Sequence, residues 1–323
     1  MQKFSLYVGI DVSKDWLDIA VVSSENQLQK IDRIDNRVSA INDYLRTLRT
    51  VSQTAGILFC IENTGKYGSC FLNVSAMQHL NTWVEHPLQI KRSMGMIRGK
   101  TDQQDAVRIA QYAFRFHDKL SLWKPEEKII LQLKELQSKR EVLVKSYKML
   151  KQAMDGKDRH LIQPVKTLQK AIDKIDTTIE VLITTDPKLH SQCQLIQSVP
   201  GIGKIVATRL LITTKAFTHL TDPRKLACYM GVAPFPYQSG SSIHYKNRVS
   251  KLGDQKLKSL FSLSAWNAIR SVPALKRYFD RKIAQGKPKM SVINAVRNKL
   301  ISIVLSVVRR NQAFTKEYSL PIS

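Results

Sequence analysis

The sequence is short of acid, of cysteine and of long apolar runs, and each shortage narrows what the chain can do. Twenty-six Asp and Glu stand against 51 Lys and Arg, a formal charge of +25 over 323 residues. A folded surface that positive attracts polyanions and gains from the release of their counterions, so nucleic acid is the expected partner. Four cysteines, Cys60, Cys70, Cys193 and Cys228, form no CxxC pair. Their spacing argues against a zinc site and for reduced thiols in the cytoplasm. No basic-then-apolar leader opens the sequence, because Met1–Tyr7 runs straight into a strand pattern. The longest late apolar stretch, Leu300–Val308, is too short for a bilayer and is bounded by Lys299 and Arg309, so no membrane is expected. With 43% apolar residues and no low-complexity tract, the chain reads as folded throughout.

Periodicity divides it into three. In 1–124, FSLYVGIDVSKDWLDIAVVS reads as two strands around a polar turn; a helix near Ser39–Leu48 and strands at Gly56–Ile61 and Thr82–Glu85 follow. Strands paired first and then alternating with helices predict a mixed α/β domain. In 125–187, apolar residues from Ile129 to Met154 and from Leu161 to Leu182 alternate spacings of three and four, interrupted once by Arg140. Those heptads predict two helices packed as a coiled-coil hairpin or across a subunit interface, with Pro164 either in the first turn of the second or delaying its start. Residues 188–323 read as a mainly α domain with short Gly- and Pro-containing loops.

Candidate chemistry lies first in the acids. Asp11 follows the apolar run Tyr7–Ile10, and Glu62 follows Ile57–Ile61. An acid that ends a buried strand sits at a sheet rim, where side chains converge. Asp102 and Asp105 are three apart at a helix start, hence on one face, with Thr101 as the N-cap. Carboxylate oxygens suit a hard divalent cation, though first-turn acids are also favoured by the helix dipole alone. In the last third, SVPGIGK places a Gly-x-Gly turn between helices, with Lys204 beside it, an arrangement suited to a phosphate. The segment 226–261 joins a Ser–Gly loop to Lys246, Arg248, Lys251, Lys256 and Lys258, all candidate nucleic-acid contacts. Basic residues within Lys276–Lys289 are expected to hold phosphates as well. By composition the Ser–Gly loop reads as a flexible linker.

The segments YVGIDVSKDWLDIAVV, CIENTG and GKTDQQDA, in that order, resemble the RuvC-like domain of the DEDD transposases of bacterial insertion sequences. That family includes Piv-type invertases and recombinases guided by a bridge RNA. The resemblance implies a ribonuclease-H-like N-terminal domain and a transposase C-terminal domain with a helix-hairpin-helix-like segment. Asp11, Glu62, Asp102 and Asp105 would hold Mg²⁺ or Mn²⁺. It also implies a serine nucleophile, which falls on Ser239 in Gln238-Ser239-Gly240, with Ser241 two positions on. Donor and target DNA, a bridge RNA and a homodimer or homotetramer are the implied partners. A RuvC-like nuclease using activated water, and a non-catalytic nucleic-acid scaffold, are the competing readings. About 130 residues separate Asp105 from Ser239, so the resemblance also implies a site completed by two domains.

Overall fold

The computed structural model describes residues 4–51, 56–63, 65–93, 95, 101–154, 159–239, 243–250 and 252–315, with the side chains of 51 and 236–248 outside that description. The chain divides into two compact units, 1–125 and 126–323. The first is built on a sheet of β1 (Leu6–Val12), β2 (Trp16–Ser23), β3 (Leu28–Asp35), β4 (Ile57–Glu62) and β5 (Asn81–Glu85). Strand order is β3-β2-β1-β4-β5, a meander of β1 to β3 extended by β4 and β5 parallel to β1.

Alternation along β1 explains the layers. Val8, Ile10 and Val12 face a core shared with Ile41 and Leu45 of α1 (Val38–Val51) and Phe71 and Val74 of α2 (Ser69–Met77). Tyr7 faces a second core that includes Ala106, Ile109, Ala110 and Ala113 of α4 (Asp102–Arg115), reached through the short α3 (Pro87–Ser93). Burial on both faces is why β1 reads as an apolar run. The edge strand β3, LQKIDRID, is absent from the expectations above. It is mostly exposed and carries charges on both faces, so it lacks the alternation that marks a half-buried strand.

The second unit holds α5 (Lys128–Ala153), α6 (Arg159–Thr185), α7 (Pro187–Ser198), α8 (Lys204–Thr214), α9 (Pro223–Tyr229), β6 (Pro234–Ser239), β7 (Ile243–Val249), α10 (Gln255–Ser271), α11 (Pro273–Ala284) and α12 (Lys289–Arg310). Aspartates cap three of these helices: Asp186 accepts from Leu189 N at 2.9 Å, Asp222 from Lys225 N at 2.9 Å, and Asp254 from Leu257 N at 2.9 Å. Helices α5 and α6 run antiparallel, and Ile130, Leu133, Ile179 and Ile183 at their base belong to the same core as the C-terminal helices. Arg140, the basic residue in the apolar seam, makes a two-pronged contact with Asp176 at 2.5 and 3.1 Å. Pro164 falls inside α6, beyond its first turn and without delaying its start. So close to the helix start, it forfeits one backbone hydrogen bond near an end where bonds are already missing. Helix α12 is long and apolar enough to cross a membrane by length and composition, but more than half of that window is buried in this core. The strands on either side of the Ser–Gly loop, β6 and β7, pair as an antiparallel hairpin, while residues 240–242 lie outside the described residues.

One half-buried ion network ties three helices of this unit together. Arg209 of α8 pairs with Glu141 of α5 and, at 2.9 Å, with Asp254 at the start of α10, while Lys256 also reaches Glu141. Burial works to raise both carboxyls. For Glu141, the Lys256 hydrogen bond and the Arg209 charge outweigh burial; for Asp254, the Leu257 amide and Arg209 do. Both therefore lie below the ordinary carboxylate range. Carboxyls depressed in the folded state stabilise it above their unfolded values, and that stability is lost as pH falls through the folded ones. Arg209→Met is expected to cost about 2 kcal/mol at pH 7, less than a fully buried pair because Glu141 keeps 24% of its exposure. Urea midpoints measured from pH 7 down to pH 3 should show the deficit shrinking below about pH 4. A deficit constant with pH would show that the pairing is energetically silent.

Candidate active site

The sheet brings an acid to the rim from each of three neighbouring strands. Ile10 and Ile61 are partners in the parallel β1–β4 pair, so Asp11 and Glu62 follow side by side. Glu62 in turn pairs with Glu85 of β5. Because alternate residues share a face, Asp11 lies on the face of Tyr7, and Glu62 on that of Leu58 and Cys60, the face covered by α4.

Gly9 sets the approach of that helix. A Cβ on Gly9 would stand 2.2 Å from the Ala106 carbonyl oxygen and 2.2 Å from the Ala110 nitrogen, so α4 lies directly on the strand. Thr101 caps the helix, its Oγ1 accepting from Gln104 N at 3.3 Å. Asp102 and Asp105 occupy the first turn, respectively one turn and one residue before Ala106, and therefore lie towards the end of β1.

The carboxyls meet electrostatically. Asp11 is pushed up to about 6, first by burial and then by the charges of Glu62, Asp105 and Asp102. The charges of Glu62, Asp105 and Asp102 thus all act on Asp11, in a locally negative field. Two arginines already temper it. Arg108 holds Asp105 at 2.5 Å, and Arg33 Nη2 stands 3.6 Å from Asp102 while gripping buried Asp18 with two 3.0 Å bonds. Glu85 accepts from the Tyr112 hydroxyl at 3.0 Å. Among the described residues no three acidic, His or Cys side chains stand together at ligand distance. The donor set is all oxygen, and its surplus negative charge is what a hard divalent cation would offset. In donor chemistry the four acids suit such an ion, while in this structure Arg108 occupies Asp105 and the four do not converge at ligand distance.

Gly9, Asp18 and Arg33 were not singled out from sequence. A glycine within a strand run is itself a sign of close backbone approach, and an acid inside WLDIAVV asks for a buried partner.

In the second unit Ser239 ends β6 opposite Ile243, at the closed end of the hairpin. Lys246 and Arg248 lie in β7; their side chains, like Ser241 and Lys251, are outside the described residues. Lys204 is engaged by Glu180 at 2.7 Å, and Lys256 by Glu141. Lys258 is half-buried and its ammonium is pushed down, first by burial and then by the charge of Arg297. In the Gly-x-Gly turn the two glycines differ, because a Cβ on Gly203 would meet nothing within 4 Å whereas Gly201 is closely packed. Gly201 has φ +84°, and a Cβ there would meet the Ser264 carbonyl oxygen at 2.3 Å.

Comparison with known proteins bears on both units. Residues 8–157 match a family model of DEDD transposases, and residues 193–280 match that of the Transposase IS116/IS110/IS902 family. This chain belongs to the IS110-type transposases. Pilin gene-inverting proteins of Moraxella lacunata and Moraxella bovis are each 28% identical over 96% of this chain and 98% of their own. An insertion element IS110 protein of Streptomyces coelicolor is 30% identical, over 43% of this chain and 34% of its own length. An IS110-type transposase is an enzyme acting on DNA in the recombination of mobile elements. The first matched segment spans Asp11, Glu62, Asp102 and Asp105, and the second spans Ser239.

Proposed function

We propose that this transposase cuts and rejoins DNA by a serine nucleophile aided by divalent metal, to excise and insert its element or invert a segment as its pilin gene-inverting relatives do. The observation that supports it most is the shared field of Glu62, Asp102 and Asp105 on Asp11. Those four acids would hold Mg²⁺ or Mn²⁺, which supplies charge neutralisation at the scissile phosphate and eases deprotonation of a hydroxyl. Ser239 Oγ attacks phosphorus, the bond to the 3′ oxygen breaks, and that oxygen leaves as a hydroxyl with the serine's proton. The 5′ phosphate stays on the serine until a 3′-hydroxyl of another strand reverses the step, returning the proton to Ser239. The ribonuclease-H-like character of the first unit is supported by the order β3-β2-β1-β4-β5. A homo-oligomer working with a bridge RNA is the assembly proposed.

Trapping tests the chemistry. Denaturing gels of protein with labelled element ends in Mg²⁺ should show a covalent adduct that Ser239→Ala and Asp11→Ala both remove. If Ser239→Ala retains the adduct and full recombination, the serine is not the nucleophile. Cleavage without adduct that depends on Asp11 alone would instead mean hydrolysis by water. Normal recombination by nuclease-stripped protein would remove the RNA.

A further inference from the structure

The surplus charge of this chain is unevenly available. Across α5 to α8 and the start of α10, several cations are already paired with carboxylates: Lys134 with Glu126, Lys139 with Glu135, Arg140 with Asp176, Lys204 with Glu180 and Lys256 with Glu141. The pattern stops at the end of α10. From Arg270 to Lys299 the sequence carries nine Lys or Arg and one acid, Asp280. Among the described residues none of those nine cations stands at ion-pair distance from a carboxylate.

Four of the nine, Arg281, Lys282, Lys289 and Lys299, lie over aromatic rings instead. Lys299 of α12 lies 4.8 Å from the centroid of Tyr278 on α11, and Arg281 and Lys282 lie 5.8 and 6.0 Å from the same ring. Lys289 stands 4.9 Å over Trp266, whose ring meets Phe279 at 5.7 Å. A ring stabilises a nearby cation only weakly and leaves its charge intact. Three like charges around one tyrosine therefore repel each other until an anion arrives. The Lys299 ammonium registers this, pushed down by burial and then by Arg281 and Lys282.

We propose that the α11–α12 face, centred on Tyr278 with Arg281, Lys282, Lys289 and Lys299, is a docking surface for the phosphate backbone of duplex DNA. Its aromatic rings act as rigid seats for the cations. The inference rests on the reading that this chain acts on DNA, and it says which of its many cations hold the duplex. Helix α11, at twelve residues, is about 18 Å long, roughly five phosphates along one strand. The face reads charge and not bases, so sequence choice lies elsewhere. Residues from Arg281 onward lie beyond the matched 193–280 segment, so family membership alone does not assign them.

The test is the salt dependence of binding by the full-length protein to a labelled duplex of unrelated sequence. Each lost phosphate contact should lower the log–log salt slope by about 0.9. Arg281→Gln/Lys282→Gln/Lys299→Gln should therefore lower it by about 2 to 3, whereas Lys139→Gln, drawn from the paired set, leaves it unchanged. Arg281→Lys/Lys282→Arg/Lys299→Arg should restore the slope, which separates charge from folding. An unchanged slope in the triple glutamine variant, with wild-type affinity for the duplex, overturns this surface while leaving DNA as substrate. If the variant loses slope on a structured RNA but not on the duplex, the occupant is RNA and the proposal fails. If the wild-type protein binds no duplex at all, the reading of DNA as substrate fails with it.

Discussion

Asp11→Asn is expected to abolish strand cleavage and, in metal-free buffer, to raise the melting temperature. The first effect follows from the metal role proposed for the acids. A bound cation supplies several kcal/mol at the transition state, and about 4 kcal/mol corresponds to roughly 10³-fold in rate. The second follows from the crowding on Asp11, whose carboxyl burial and three neighbouring acids push up to about 6. Its folded value lies above the unfolded one near 3.9. The charged carboxylate therefore opposes folding, fully above about pH 6 and not at all once both states are protonated below about pH 4. Asparagine removes that opposition, so the gain in melting temperature should be present at pH 7 and vanish towards pH 4. Added Mg²⁺ should reverse the order, stabilising the wild type and not the variant. Thermal scans with EDTA and with Mg²⁺, beside plasmid cleavage, make the measurement. Equal melting temperatures at every pH would mean that the four acids do not share a field.

Gly9→Ala should be nearly as damaging, though it removes no chemical group. The new methyl would lie 2.2 Å from backbone atoms of both Ala106 and Ala110. No rotamer relieves a clash with backbone, so α4 must retreat by on the order of 1 Å. Overpacking of this kind costs about 1–3 kcal/mol and occasionally more. The retreat also carries Asp102 and Asp105 away from Asp11, and a displacement of about 1 Å can cost roughly 10²-fold in rate. Chemical denaturation and cleavage assays should show both losses together. Ala106→Gly or Ala110→Gly in the same chain should not rescue either one. A rescued double variant would mean that side chains, not the helix backbone, set the spacing.

Both cases show what sequence can and cannot carry. Asp11 and Glu62 were legible because each ends a buried apolar run, and the Thr101 cap because its spacing is local. The position of α4 over Gly9 depends on which strands become neighbours, and the grip of Arg33 on Asp18 and Asp102 joins residues brought together only by the fold. β3 escaped notice because an edge strand defended by Lys30, Asp32 and Arg33 has no apolar rhythm. The hairpin of β6 and β7 was hidden by a Ser–Gly composition that equally describes a linker. Lys204 and Lys256 looked free because the carboxylates that neutralise them, Glu180 and Glu141, lie 24 and 115 residues away.

The Arg140–Asp176 contact gives the α5–α6 pair a fixed gauge. Heptad seams of leucine and isoleucine tolerate sliding by a turn, since one apolar side chain replaces another. Here a one-turn slip would strand a guanidinium that is 13% exposed against aliphatic neighbours, at the cost of leaving a charge unpaired. Only one register is thus available. Helix α6, at 27 residues, is a rod of about 40 Å. Whatever engages its far end is held at a constant offset from α12 and the duplex proposed there, so the hairpin measures a length as well as providing a surface.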